Sequence, residues 1–231
     1  MFTVTSGADG VPPALPSGIR APLAMAGLVG AVVAVTLGVV FAGQTTGSGL
    51  DAWAAAALEL PQTSSSLAYD VSWIVQSLGD PIPALILMLL LGAACLRCGR
   101  ARLAVLAVAG PLAADMIVIV MKHITGRTIH HGSLSYPSTH TAQSAAFAMV
   151  TAMLIAALLR LDGGAVGVLV LGAAVVGALV MGWALVAGDV HYATDVLGGL
   201  CVAVAVVPVA AWCTDVVGDR IWPDLRSRTR A

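Results

Sequence analysis

Long apolar runs separated by short polar segments extend along the chain. The hydrocarbon core of a membrane is roughly 30 Å thick and takes about 20 helical residues to cross. Six runs reach or approach that length, and they predict spans at residues 21–43, 81–96, 103–121, 141–159, 163–188 and 196–214. The second run is short, so its helix is expected to begin earlier, near Trp73. Regular alternation of apolar and polar positions is absent, and the pattern predicts an all-α integral membrane bundle of six transmembrane helices.

The composition agrees with a membrane protein and excludes several other classes. Of the 231 residues, 59% are hydrophobic and 10% are charged, whereas an ordinary soluble domain is about 25% charged. Disorder requires low hydrophobicity and high charge, and this chain has the opposite composition. The net charge of -1 leaves no broad basic field, so nucleic acid is not an expected partner.

The distribution of basic residues predicts the orientation of the bundle. With six spans, nine basic side chains fall on one side, which the positive-inside rule makes the cytoplasm. These are Arg20, Arg97, Arg100, Arg102, Arg160, Arg220, Arg226, Arg228 and Arg230. We therefore expect a multi-pass protein of the plasma membrane with both termini in the cytoplasm. Residues 1–20 are expected to be a flexible N-terminus, 21–214 the transmembrane domain and 215–231 a basic tail.

Two segments outside this pattern also carry expectations. The first outer loop, residues 44–80, contains acidic residues and no basic residue. Its residues 51–60 are apolar with acidic ends, which predicts a helix lying on the outer membrane face. Within the third span, Asp115 is expected either to face a polar cavity or to pair with a neighbouring helix.

All histidines of the chain fall in the outer loops, where Lys122 and Arg127 also lie. The histidines are His123, His130, His131, His140 and His191. Imidazole is the side chain best suited to acid–base or nucleophilic work near neutral pH. Ionisable groups at bilayer depth are costly and usually mark function. The clustering therefore predicts a reactive site on the outer face of the bundle.

Two segments of this cluster have the features of an anion site. Lys122 and Arg127 follow the third span, and Ser138 or Thr139 is a suitable N-cap for a helix that begins beside His140. Free N–H groups at a helix N-terminus, with a hydroxyl and cations nearby, bind anions such as phosphate.

A third segment offers a nucleophile. Asp195 follows His191 by four residues, and this spacing places both side chains on the same side of a helix. Asp195 would then hold one ring nitrogen of His191, which leaves the other nitrogen free to act as a nucleophile.

Together these residues resemble the type 2 phosphatidic acid phosphatase (PAP2) family of membrane lipid phosphatases. That family is known by the motifs Lys-x6-Arg-Pro, Pro-Ser-Gly-His and Ser-Arg-x5-His-x3-Asp. Lys122, the run from Pro137 to His140, and His191 with Asp195 occupy the matching positions. The resemblance extends over residues 103–199 by motif and over the rest of the chain by the number of spans.

The resemblance implies a role for each matching residue. His191 would attack phosphorus and form a phosphohistidine, and Asp195 would orient it. His140 would protonate the leaving alcohol and later activate water. The phosphoryl oxygens would be held by Lys122, Ser138 and the N–H groups around Thr139. The resemblance implies no metal or other cofactor.

The first and third motifs depart from the family pattern. Ile129 and His130 stand where the first motif has Arg-Pro, and Leu185 stands where the third motif has Arg. Thr139 replaces the glycine of the second motif. Arg127, two residues before the position of the missing first arginine, is expected to act as a phosphate clamp. Phosphate binding would thus be rebuilt around Arg127, His130 and His131.

The sequence therefore predicts a membrane phosphatase that hydrolyses a lipid phosphate or diphosphate at the outer face. Polyprenyl diphosphate, phosphatidylglycerol phosphate and phosphatidic acid are the candidate substrate classes, and the oligomeric state is left open. One alternative is a lipid-phosphate binding or transport protein that has lost turnover with its motif arginines. Another is a zinc enzyme, which Lys122 and Arg127 disfavour because they would repel the cation.

Overall fold

The computed structural model describes residues 11–59, 66–130 and 132–221 of the chain. Within these ranges the chain forms eight α-helices and one two-stranded antiparallel hairpin. The helices are α1 (Ser17–Val40), α2 (Gly49–Leu58), α3 (Leu67–Ser77), α4 (Pro81–Arg97), α5 (Ala101–Thr125), α6 (Thr139–Leu159), α7 (Gly163–Ala187) and α8 (Ala193–Ile221). The strands β1 (Thr128–Ile129) and β2 (Ser133–Leu134) lie between α5 and α6. The predicted all-α membrane bundle is confirmed.

Five helices, α1 and α5 to α8, are long and apolar enough to cross a membrane. The predicted second span differs, because α3 and α4 form a pair bent by 70°. Pro81 occupies the first turn of α4 and Asp80 is its N-cap residue. Proline has a fixed φ and no N–H, so it starts a helix well and continues one poorly. A single helix from near Trp73 is therefore not formed, and the bent pair is the candidate for the sixth span.

The segment before α1 is held against the far end of α8. The backbone N–H groups of Ala14 and Leu15 donate to the Asp215 carboxylate at 2.7 and 3.1 Å. α1 begins before the predicted boundary at residue 21, and α8 continues beyond the predicted boundary at residue 214. Arg102 lies 3.4 Å from the same carboxylate, so this end of the bundle is closed by an ion-pair cluster. The described part of the predicted flexible N-terminus is therefore fixed in place, while residues 222–231 of the tail lie outside the described ranges.

Small side chains allow the central helices to approach closely, as is common in membrane bundles. Ala145, Ala146 and Met149 of α6 are fully buried within the largest group of apolar residues. A Cβ at Gly177 of α7 would lie 2.9 Å from the carbonyl oxygen of Ser144 in α6. This contact therefore requires glycine, and it sets how closely α7 packs on the helix that carries His140.

The loops at one end of the bundle are joined by backbone hydrogen bonds. The pairs are Gly43 N–H to Thr125 O at 2.8 Å, Thr128 N–H to Gln44 O at 3.0 Å and Ser138 N–H to Asp195 O at 3.0 Å. The helix predicted at 51–60 forms as α2, and its first turn is fixed by a capping box between Ser48 and Asp51. Its position on the membrane surface stays a prediction. The connected loops form a rigid frame around the histidines.

Candidate active site

A cavity of about 560 Å³ opens among α4, α5 and α6 at the end of the bundle where these loops meet. Four of the predicted site residues line it: Lys122, Thr139, His140 and His191. They come from the end of α5, the start of α6 and the loop before α8. Segments that are distant in sequence thus present a cation, two imidazoles and a helix N-terminus to one space.

His191 and Asp195 are paired across the entry to α8. Nδ1 of His191 lies 3.4 Å from Oδ2 of Asp195, and the Tyr192 N–H donates to the same oxygen at 3.1 Å. Since a carboxylate can only accept, this contact requires the ring proton on Nδ1, and Nε2 is unprotonated whenever the imidazole is neutral. Burial lowers the pKa of His191 below its usual value, and the hydrogen bond with Asp195 opposes part of that shift. A neutral imidazole with a free Nε2 is the form that can act as a nucleophile.

His140 faces the same cavity from the first turn of α6. Its Nε2 lies 3.6 Å from Oδ1 of Asp80, the N-cap residue of α4. The backbone at Gly79 runs so close to the imidazole that a Cβ there would overlap the ring. The bend between α3 and α4 therefore fixes where His140 lies. The sequence analysis did not identify Gly79 or Asp80, and the only available signal was the Gly-Asp-Pro turn that ends α3.

Lys122 is aimed by the hairpin that follows α5. Its Nζ donates to the carbonyl oxygens of Leu134 and Ser135 at 2.8 and 3.1 Å. Gly126 ends α5 in the left-handed region with φ 61°, which allows the chain to turn back over the helix end. The ammonium group is thereby held at the cavity wall, and one of its three N–H bonds remains for a ligand.

The predicted phosphate-binding residues Ser138 and Thr139 have separate positions. Ser138 is fully buried, and its hydroxyl accepts hydrogen bonds from the N–H and the hydroxyl of Thr141 at 3.3 and 3.1 Å. Ser138 is therefore the N-cap of α6 and is not among the cavity-lining residues. Thr139 lines the cavity at the helix start, where backbone N–H groups lack helical partners. The helix N-terminus, rather than the Ser138 side chain, faces the cavity.

Arg127 does not occupy the predicted position of a phosphate clamp, and that expectation is corrected. Its side chain is 0% exposed, and Nη1 donates to Asp195 Oδ1 and Thr194 Oγ1, both at 2.7 Å. The guanidinium plane lies between two aromatic rings, 4.2 Å from the centroid of Phe41 and 4.4 Å from that of Tyr192. The guanidinium charge is therefore paired with buried carboxylates, one of which is the carboxylate that holds His191.

Asp51 completes this buried network and was missed by the sequence analysis. Its Oδ2 accepts from Arg127 Nη2 at 2.8 Å, and its Oδ1 accepts from the Thr194 N–H at 2.9 Å. Burial raises the pKa of Asp51, but hydrogen bonds from Thr194 and Ser48 outweigh that effect and hold its pKa below the usual value. The Ser-x-x-Asp spacing from Ser48 is typical of a helix cap, but such a pattern gives no indication of a partner so far along the chain.

The remaining predicted groups lie away from the cavity or outside the described residues. His130 is exposed, and its Nε2 lies 3.0 Å from Asp189 Oδ2 at the surface. His131 lies outside the described residues. Leu185, at the position of the missing motif arginine, is fully buried, and its carbonyl oxygen accepts from the Val190 N–H. Phosphate binding rebuilt around Arg127 and His130 is therefore not supported by their positions.

Asp115 and Gln143 line the deeper part of the cavity. Nε2 of Gln143 donates to Oδ2 of Asp115, which joins α5 to α6. Both behaviours left open for Asp115 occur together, since it faces the cavity and pairs with a neighbouring helix. Gln143 was not identified from the sequence, although it follows His140 by nearly one helical turn.

Comparisons with known proteins agree with this arrangement. The family model for the PAP2 superfamily matches residues 101–219, whereas a search of curated proteins and a search of solved structures each gave no significant match. The match covers just over half of the chain and contains Lys122, His140, His191 and Asp195. Since the family model matches more than half of the chain, and the all-α bundle with five or six candidate spans is consistent with it, the chain belongs to the PAP2 superfamily.

Proposed function

We propose that the chain is a membrane lipid phosphatase that hydrolyses a lipid phosphate or diphosphate through a phosphohistidine intermediate. The PAP2 superfamily is a phosphatase-type family, which supports the reaction class. The observation that carries the proposal is that His191 and His140 line one cavity and that Nδ1 of His191 is held by Asp195. Nucleophile, general acid and orienting carboxylate are then available in one place.

In the first step, Nε2 of His191 attacks phosphorus and the bond from phosphorus to the leaving oxygen breaks. His140 donates a proton to that oxygen, so a neutral lipid alcohol leaves, or a lipid monophosphate when the substrate is a diphosphate. In the second step, His140 takes a proton from water, whose oxygen attacks phosphorus. Phosphate is released and the electron pair returns to Nε2 of His191. Asp195 stabilises the positive charge that the ring of His191 carries between the steps.

Phosphate binding in this proposal depends on few groups. Lys122 supplies a positive charge at the cavity wall, and the first N–H groups of α6 at Thr139 and His140 supply hydrogen bonds and the positive end of a helix dipole. Ile129 and Leu185 replace both motif arginines. Lys122 would therefore neutralise a larger share of the negative charge on the substrate phosphate. We infer that its removal impairs binding and turnover together.

Exposed apolar residues of the cavity lining support a path for the hydrocarbon chain of the substrate into the bilayer. Leu85, Leu112 and Ile119 line the cavity and are 53%, 45% and 43% exposed. An acyl or prenyl chain lying on these side chains would remain in lipid while the phosphate reaches the histidines. The active site would face outward in the plasma membrane with both termini in the cytoplasm. A cysteine at the exposed Ser133 should then react with an impermeant thiol reagent on intact cells in a variant lacking other reactive cysteines.

The experiment that tests the activity is phosphate release by purified protein in detergent from lipid monophosphates and diphosphates, with a chelator present. His191→Ala should reduce release by about a thousandfold or more, because the nucleophile is lost. His130→Ala is the matched control, since that histidine is exposed and pairs with Asp189 at the surface. Equal release by wild type and His191→Ala would overturn the histidine mechanism.

A second candidate function rests on the replacement of the motif arginines by Ile129 and Leu185. A protein that has lost these charges could hold a lipid phosphate without cleaving it, as a binding or transport protein does. It would bind the lipid phosphates that the phosphatase would cleave. No phosphohistidine would then be detected when the reaction is quenched rapidly without acid. Binding without release from any lipid would favour this candidate.

A further inference from the structure

Two buried polar atoms in the deep part of the cavity have no hydrogen-bond partner among the described residues. They are Oδ1 of Asp115 and Oε1 of Gln143. Asp115 is 9% exposed and Gln143 is 6% exposed, and both line the cavity. The hydrogen bond between Gln143 Nε2 and Asp115 Oδ2 fixes the two side chains together. Each of the two joined side chains thus keeps one acceptor oxygen to which no group of the described residues donates.

This arrangement is unusual in a cavity whose other deep walls are apolar. Ala84, Met88 and Leu112 form the surroundings, and none of them can donate a hydrogen bond. A buried acceptor without a donor costs free energy, and native proteins satisfy nearly all such groups. A ligand that brings a hydroxyl donor to this position would therefore satisfy one of the two oxygens.

The location of the pair relative to the histidines indicates which part of a ligand reaches it. Gln143 follows His140 by three residues, or about 4.5 Å along α6. Asp115 precedes Lys122 by seven residues, or about 10 Å along α5. The pair therefore lies on the membrane side of the groups that would hold phosphate. The first carbons of the leaving alcohol would occupy this depth.

We propose that Asp115 and Gln143 form a subsite that accepts a hydrogen bond from a free hydroxyl on the leaving alcohol, on the carbon next to the phosphate ester carbon. The inference rests on the proposed function for the position of the phosphate. The substrate class is then a lipid phosphate monoester that bears a vicinal hydroxyl, as in a glycerol unit that is not fully esterified. A prenyl diphosphate or a fully esterified glycerol phosphate has no donor at that carbon.

The test uses two lipids that differ by one hydroxyl group. One is the oleoyl ester of glycerol 3-phosphate, with a free 2-hydroxyl, and the other is 3-oleoyloxypropyl phosphate, which has hydrogen in its place. Their affinities are measured by calorimetry on His191→Ala protein in detergent, which prevents turnover. We expect the hydroxylated lipid to bind about tenfold more tightly, as one added hydrogen bond in a dry site allows.

A variant of the subsite provides the second measurement. Asp115→Leu together with Gln143→Met in the same background keeps side chains of similar length and removes both acceptor oxygens. It should bring the two affinities to within about threefold of each other, while binding of the deoxy lipid is retained. Equal affinities in the parent protein overturn the proposal, as does failure to bind the hydroxylated lipid. A preference in binding without phosphate release by wild-type protein supports the subsite and overturns the proposed phosphatase instead.

Discussion

Asp51 and Arg127 form a buried ion pair that joins α2 to the segment after α5. Oδ2 of Asp51 and Nη2 of Arg127 lie 2.8 Å apart, and the side chains are 1% and 0% exposed. Nη1 of the same guanidinium lies 2.7 Å from Oδ1 of Asp195. Removing charges from water costs several kcal/mol for each ion, so such a network is stable only with every member paired. Arg127 thus connects Asp51 to the carboxylate that holds His191.

Replacing Arg127 should impair turnover and stability more than substrate binding. Arg127→Met leaves Asp51 and Asp195 buried without their cation, and the free energy of unfolding should fall by about 3–5 kcal/mol. Because Asp195 loses its support, kcat should fall at least about tenfold while KM changes little. Steady-state kinetics and chemical unfolding in detergent measure both quantities. An unchanged kcat with a raised KM would instead assign Arg127 to phosphate binding, as the sequence first suggested.

Two further variants control this comparison. Arg127→Lys keeps the charge but loses the forked geometry that reaches both carboxylates, so it should fall between wild type and Arg127→Met in stability. Arg97→Met removes an exposed arginine at the opposite end of α4 and should leave kcat unchanged.

The ion pair should also be visible as an energetic coupling. Asp51→Asn keeps an acceptor for Thr194 and removes the charge, so it relieves the unpaired carboxylate created by Arg127→Met. The double variant should therefore be more stable than the sum of the two single effects predicts, by at least about 1 kcal/mol. Arg127→Met combined with Asp162→Asn, the N-cap residue at the opposite end of α7, should be additive within about 0.5 kcal/mol. Additivity in the Asp51 pair would contradict the connection.

The sequence predicted the parts of the site that depend on local spacing and on the number of spans. His191 and Asp195 are four residues apart, and the parity of the six spans brings the segments of Lys122, His140 and His191 to one face. These relations hold for almost any close packing of the helices. For that reason Lys122, Thr139, His140 and His191 line one cavity, as the structure shows.

The sequence could not predict the parts of the site that depend on tertiary pairing. The local sequence around an arginine does not show whether its guanidinium binds a phosphate or pairs with two buried carboxylates. The difference lies in Asp51, which is 76 residues from Arg127 and whose helix was identified only as an interfacial segment. Similarly, Pro81 marks a break between α3 and α4, but the direction of the bend, which sets Gly79 against His140, depends on how α3 packs on the end of α7.

The acidic limit of the activity should lie at lower pH than an ordinary histidine would give. Burial lowers the pKa of His191, and the nucleophile must be neutral, so the acidic limb of kcat/KM should lie below about pH 6.5. Below that pH the unfolded chain binds the proton more readily than the folded one, so folding stability also declines on acidification. A pH profile of kcat/KM whose acidic limb lies above pH 6.5 would contradict a buried neutral His191.

Asp195→Asn should move the acidic limb of the kcat/KM profile to still lower pH. The hydrogen bond and the charge of Asp195 both raise the pKa of His191 against the effect of burial. Their removal should shift the limb to still lower pH, and kcat should fall because the imidazolium formed in the reaction is no longer stabilised. The pH profiles of the two proteins, compared over the same range, provide the measurement. A limb that moves to higher pH would mean that Asp195 does not act on His191.

A single methyl group at Gly79 should displace the proposed general acid. The imidazole of His140 lies against this residue so closely that the Cβ of an alanine would overlap the ring. Gly79→Ala should therefore lower kcat at least about tenfold, since misplaced acid–base groups lose much of their effect. Gly167→Ala is the matched control, because a Cβ there meets nothing within 4 Å. If both variants retain wild-type kcat, the position of His140 beside the α3–α4 bend has no part in the reaction.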